Sequence, residues 1–132
     1  MKNEDRIILE KIIGYIEDVA QFVSDLDFDS FLSDKKTLSA CAFAVSQMGE
    51  IVKEISDDTR NAHPTIPWKS IRGMRNRIVH DYENVDYAVL WSTIKTSLPE
   101  LKEQLTTLLE MIPSDADSQP IATSSTNAEN NG

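Results

Sequence analysis

The sequence predicts an all-α fold: a bundle of four or five helices joined by short loops and followed by a disordered polar tail. Apolar residues recur at helical spacing, and no segment alternates in the manner of a strand. Prolines and capping residues punctuate the periodic segments at short intervals. Beyond Pro113 the stretch SDADSQPIATSSTNAENNG has almost no large apolar residues. The expected division is therefore a helical domain over residues 1–112 and a tail over 113–132.

Helix one is expected after Asn3 as N-cap, with Glu4 and Asp5 in the positively polarised first turn. Its apolar stripe runs Ile8, Ile12, Ile16, Val19, Val23, Leu26. DFDSF reads as a turn whose Phe28 and Phe31 plug the core. Helix two runs from about Asp34 to Ile55, with Leu38, Cys41, Ala42, Val45, Met48, Gly49, Val52 and Ile55 along one stripe. Gly49 in the middle of that stripe allows another helix to approach closely. DDTRNAHPTIPW is a connector, and Pro67 suits the first turn of helix three, which continues from Trp68 to about His80. Asp86 is the expected N-cap of helix four. At Pro99 two readings stand: a fresh helix begun by the capping box SLPE, or one continuous helix kinked by the proline. The segment continues through Leu101, Leu105, Leu108, Leu109 and Ile112.

A chain of 132 residues suits one domain with a single core. No apolar run approaches the ~20 residues that span a bilayer, and MKNEDRIILEK lacks a signal-peptide pattern. The single cysteine, Cys41, lies in LSACAFAV and reads as a small core residue. A cytoplasmic protein with no membrane partner is expected. The formal net charge is −9, which argues against a general nucleic-acid coat protein. Its distribution is uneven, however. From Arg60 to His80 lie Arg60, Lys69, Arg72, Arg75 and Arg77 with no acid, so all 22 acidic residues fall elsewhere. A basic site on an acidic body restricts where a polyanion docks.

On a helical wheel at about 100° per residue, Trp68, Ile71, Met74, Ile78 and Val79 share one arc, while Arg72, Asn76 and His80 follow one edge of it. Arg77 points away from the core. Arg75 falls inside the apolar arc, where an unpaired charge is costly. Either its stem packs on the core while its head reaches water or an acid, or helix three faces a second subunit and Arg75 lines a shared cleft. Arg75 and His80 lie about 140° apart on an ideal helix, so a two-fold partner is one way to bring them together. Arginines beside a histidine suit RNA, which carries its own nucleophile: a neutral imidazole deprotonates the 2′-OH and an arginine stabilises the charge developing on the phosphate. No metal and no cofactor is specified: His63 and His80 are the only histidines and no ligand-spaced His/Cys cluster exists, while the plentiful acids leave a carboxylate-bound Mg²⁺ open without specifying one. The plain alternative for His80 is a cap stabilised by the helix dipole. Glu50 is a candidate accessory residue or a surface acid. Trp68 reads as core, His63 as a loop residue, and Tyr87 as packing at the start of helix four.

RNRIVHDY, Arg75 to Tyr82, resembles the R-x4-H-x-Y motif of the HepT-type toxins, a branch of the HEPN superfamily. MGEIVKEIS, IPWKSIRGMRN and LWSTIKTSLPELKEQL resemble the family's flanking segments in matching order, so the likeness covers roughly residues 5–112. The resemblance implies a dimerising helical bundle and a metal-independent endoribonuclease acting as a toxin of the type VII toxin–antitoxin class. It implies that Arg75 and His80 are catalytic and Asn76 accessory; from the acid-free basic window, Lys69, Arg72 and Arg77 are expected to bind RNA. Tyr82 occupies the position to which an MNT-type nucleotidyltransferase antitoxin transfers AMP, and the homodimer is expected to join that antitoxin in a larger hetero-oligomer. The competing reading is a non-catalytic helical subunit that presents substrate to a nucleotidyltransferase.

Overall fold

The computed structural model describes residues 1–81 and 84–111, without the side chain of Asp81. Within them the chain is a helical bundle with one small antiparallel strand pair. Tyr82, Glu83, Ile112 and the expected tail lie outside the described residues.

Helix α1 spans Asn3–Phe22. Asn3 is its first helical residue and not its cap; Lys2 holds the cap position without a side-chain bond, because the bond from Arg6 N to Lys2 O starts the helix one residue earlier than expected. The buried stripe is Leu9, Ile12, Ile16 and Val19, continued by Val23 after the helix, with Ile8 at its edge. Leu26 is only partly buried and lies past the helix end. The segment expected as a turn is a short helix, α2, Phe28–Ser33, whose first turn is capped by Asp27 accepting from Ser30 N. Phe31 is fully buried and its ring lies 4.8 Å from that of Trp91; Phe28 packs at the edge.

Helix α3, Lys35–Ile51, is capped by Asp34, which accepts from Thr37 N and Thr37 Oγ1 and is thereby held below the ordinary carboxylate range. A 3-10 turn over Val52–Glu54 finishes it. The connector holds another short helix, α4, Asp57–Ala62, capped by Ser56. Helix α5 is Trp68–Ile78, and Pro67 stands one residue before it, at the cap position. Helix α5 therefore ends two residues short of His80. The chain turns extended at Val79, a β-branched residue, and enters strand β1, Val79–Asp81, which pairs with β2, Asn84–Val85. The bond from Asp86 N to Ile78 O, 2.7 Å, closes this unit.

Asp86 caps α6, Tyr87–Ser92, accepting from Val89 N as expected. At Pro99 the continuous reading holds. A π-helical turn, Thr93–Ser97, links α6 to α7, Leu98–Met111, with helical backbone at both joints. Proline has no N–H for the preceding turn, and the wider π turn absorbs that loss. Leu90, Ile94, Leu98, Leu101, Leu105 and Leu108 make the buried side of this long helix.

The bundle is built on α3, which packs against α1 on one side and α5 on the other, with α7 beside α1. Gly49 explains the closeness of α3 and α5. A methyl group there would lie 3.4 Å from the carbonyl oxygens of both Ile71 and Arg72. Among the described residues no helix is long and apolar enough to cross a membrane.

Candidate active site

Helix α5 places its polar residues by its own periodicity. Lys69, Arg72, Gly73 and Asn76 follow at i, i+3, i+4 and i+7, one face of the helix. Ile71, Met74 and Ile78 are buried on the opposite side. Where α5 crosses the C-terminal end of α3, these residues and Arg75 line a cleft of about 520 Å³, completed by Glu50 and Lys53. The cleft thus gathers Lys53, Lys69, Arg72 and Arg75 against one acid, Glu50.

Arg75 is exposed, in keeping with the reading in which its stem packs on the core and its head reaches water. The Gly49 contact brings α3 against α5 just beneath it, and Arg75 Cβ would lie 3.7 Å from a methyl group at Gly49. The guanidinium turns outward and donates from Nη1 to Asn76 Oδ1 at 3.3 Å. Its head reaches solvent, and among the described residues no carboxylate pairs with Lys69, Arg72 or Arg75. Arg75 and Arg77 also lie in the last turn of α5, where cations offset the partial negative charge of the helix end.

His80 does not continue the ridge of Arg72 and Asn76, because the helix has already ended. The pairing of β1 with β2 advances from Val79 to Asp81 on one strand but only from Val85 to Asn84 on the other. His80 is the residue left over, the extra member of a β-bulge. A bulge re-aims a side chain out of the ladder, and His80 is exposed. It is not among the residues lining the Arg75 cleft.

The remaining expected residues divide. Arg77 stands apart from the cleft and donates from Nη1 to Ser70 O at 3.1 Å. Glu50 is in the cleft, bound to Lys53 Nζ at 3.0 Å. Arg60, counted with the basic window, is tied to the carbonyl of Ile55 and to Asp57. Tyr82 lies outside the described residues. Trp68 is half-buried and donates from Nε1 to the carbonyl of His63, which caps the end of α4. Tyr87 opens α6 and packs at the core edge. Lys53 escaped the sequence reading because it comes from the turn after α3 and stands beside Glu54 in VKE; the α3–α5 crossing brings it to the basic face.

A family model described as "Ribonuclease HepT-like" matches residues 12–108, which spans α5, the bulge and most of the bundle. The chain belongs to the HepT-like ribonuclease family. It is 40% identical over 102 residues to a protein of Thermococcus cleftensis named a probable ribonuclease HepT, covering 77% of this chain and 93% of that one. It is 33% identical over 109 residues to a candidate RNase of Methanocaldococcus jannaschii, covering 83% and 94%. A candidate RNase of Caldanaerobacter subterraneus is 33% identical over 105 residues, covering 80% and 94%. No solved structure gives a significant match. In this HepT-like chain, a cation-lined cleft and an exposed histidine sit on consecutive elements, α5 and β1, whose relative placement is set by the bulge and by the Asp86–Ile78 bond.

Proposed function

We propose that this protein is a metal-independent endoribonuclease in which Arg75 and His80 cut RNA by internal attack of the 2′-OH. The observation that carries the reading is the exposure of His80 at a β-bulge directly after an arginine-lined cleft, in a chain of the HepT-like family. His80 takes the 2′-OH proton, the 2′-oxygen bonds to phosphorus, and the bond to the 5′-oxygen breaks. The products are a 2′,3′-cyclic phosphate and a 5′-hydroxyl, whose proton comes from water or from the imidazolium just formed. Arg75 offsets the charge that builds on the phosphate oxygens. Asn76, bonded to Arg75, holds that guanidinium in place. Lys69 and Arg72 hold the flanking backbone, and Arg77 adds to the surrounding positive field.

His80 lies outside the cleft that holds Arg75, which supports a site completed across a homodimer, one subunit's arginine serving the other's histidine. The protein would act as the toxin of a type VII toxin–antitoxin pair. Tyr82 follows His80 by two residues, and its hydroxyl is the proposed acceptor of AMP from an MNT-type nucleotidyltransferase. The tyrosyl oxygen attacks the α-phosphorus of a nucleoside triphosphate and pyrophosphate leaves. The added negative charge and base would exclude an RNA phosphate from His80.

The test is purified, unmodified protein with total RNA, with and without EDTA. Cleavage that persists in EDTA and is lost in His80→Ala supports the reading. Intact RNA with the wild-type protein overturns it and leaves the substrate-presenting subunit. Intact-mass measurement of protein co-produced with its antitoxin tests the control step: an AMP-sized increment that survives Tyr82→Phe removes Tyr82 as acceptor.

A further inference from the structure

Two glycines lie at the crossing of α3 and α5, and only Gly49 packs against the backbone of the neighbouring helix. A methyl group there would stand 3.4 Å from two carbonyl oxygens of α5. Gly73 is different. It sits mid-helix in α5, and a methyl group there would meet only Arg77 Nη1, at 3.6 Å, an ordinary contact with the movable end of a side chain. A glycine inside a helix is less favourable than alanine, because it loses more backbone freedom on folding. Nothing within the described chain repays that loss at Gly73. Its position does offer a reason: Gly73 lines the α3–α5 cleft, with Arg72 and Asn76 beside it and Lys53 contributed by the turn after α3. Bare backbone there lets a ligand lie close against the helix.

Lys53 supplies a second, independent sign. Among the described residues its ion-pair partner is Glu50, in an exposed pair of the kind that contributes little stability. The cleft has four cations to one acid on a chain of net charge −9. A phosphodiester meets that geometry: a small anion on a narrow backbone, able to pass over Gly73 while bonded to cations on both sides.

We propose that the α3–α5 cleft is a subsite for an RNA backbone phosphate flanking the cut, held between Lys53 on one wall and Lys69 and Arg72 on the other, with Gly73 as its floor. The inference rests on the ribonuclease reading and adds to it a binding residue, Lys53, and a reason for Gly73. Single-stranded RNA is the ligand, and it is held there by its backbone and not by its bases.

The experiment uses the His80→Ala chain, shown by intact mass to be unmodified, and a fluorescent single-stranded RNA whose anisotropy is followed across salt concentrations. Lys53→Gln is expected to weaken binding about five- to tenfold and to reduce the salt dependence by about 0.7 in log–log slope, the loss of one single-strand phosphate contact. Gly73→Ala is expected to raise the thermal unfolding midpoint by a few degrees while weakening binding about tenfold, since alanine favours the helix but narrows the floor. Parent-like binding by both variants, with the wild type still cutting RNA, overturns the subsite and spares the ribonuclease. A wild-type protein that neither binds nor cuts RNA removes both. A lower midpoint or a changed light-scattering mass for Gly73→Ala overturns the inference by assigning that glycine to the fold or to a subunit contact.

Discussion

Asp5 Oδ2 lies 2.6 Å from Ser56 Oγ, joining the first turn of α1 to the residue that caps α4. Ser56 N also donates to Asp5 Oδ1 at 3.0 Å, and Thr59 Oγ1 donates to Oδ2 at 2.6 Å. Asp5 is only 2% exposed. Burial pushes its carboxyl up, but the bonds from Ser56 and Thr59, helped by the charge of Lys2, outweigh burial and leave it below its ordinary value of 3.8. The polar connector before α5 is thereby anchored to the bundle.

A depressed carboxyl stabilises the fold above its unfolded value, and that contribution disappears as pH falls through the lower folded value. Asp5→Ala is therefore expected to cost about 1.5–3 kcal/mol at pH 7. The gap between wild type and variant should shrink once pH drops below about 4. Urea titrations at several pH values measure it. A gap independent of pH would mean that packing, and not the charge, accounts for the loss.

Mixing two inactive variants tests the composite site. Arg75→Ala and His80→Ala homodimers should each be inactive. If one subunit's arginine serves the other's histidine, co-refolding the two should regenerate one intact site in each mixed dimer. Recovery of up to about a quarter of wild-type cleavage is expected, since half the dimers are mixed and each has one of two sites. No recovery, with mixed dimers demonstrated, places both residues of the site in one chain.

Gly49 sets the spacing of the helix pair that carries the cleft. Gly49→Ala brings a methyl group to ordinary contact distance of two carbonyl oxygens and is expected to fold with a stability change within about 1 kcal/mol. Gly49→Val has no such room and should cost about 1–3 kcal/mol by forcing α3 and α5 apart. Thermal melts compare the two, and equal melting of Gly49→Val and wild type would show the contact to be looser than described.

Cys41 is fully buried, and burial, with Asp34 adding a like charge nearby, pushes its thiol up to about 11. Only about one molecule in a thousand would hold a thiolate at pH 8. Alkylation of the native protein by iodoacetamide should be slower than that of the urea-unfolded chain by a factor on the order of 10² or more. Comparable rates in both states would contradict its burial.

Some local signals were read well, though Asn3 as a cap and DFDSF as a turn were not. Asp86 as a cap and Gly49 as a point of close approach both stand in the structure. So does the helical character of the long segments. Features that need two distant parts of the chain were not legible. Asp5 reads as a first-turn acid at the helix dipole, and its bonds to Ser56 and Thr59 come from residues more than fifty positions away. Strands β1 and β2 contain three and two residues, too few to show alternation. For Arg75 the sequence left two readings open, and the exposed head matches the one in which the stem packs and the head reaches water. The tight crossing at Gly49 leaves room for its stem but not its head. The basic window was right in sign and imprecise in membership: folding withdraws Arg60 to Asp57 and brings in Lys53.

The cation-lined cleft on an acidic body has a consequence for traffic. An RNA strand approaching at random meets its own sign of charge over most of the molecule and is turned away. If the α3–α5 cleft is the RNA site, an approach along that crossing is favoured over one at the acidic surface. A second strand is repelled by the first as well as by the body, which limits each cleft to one guest.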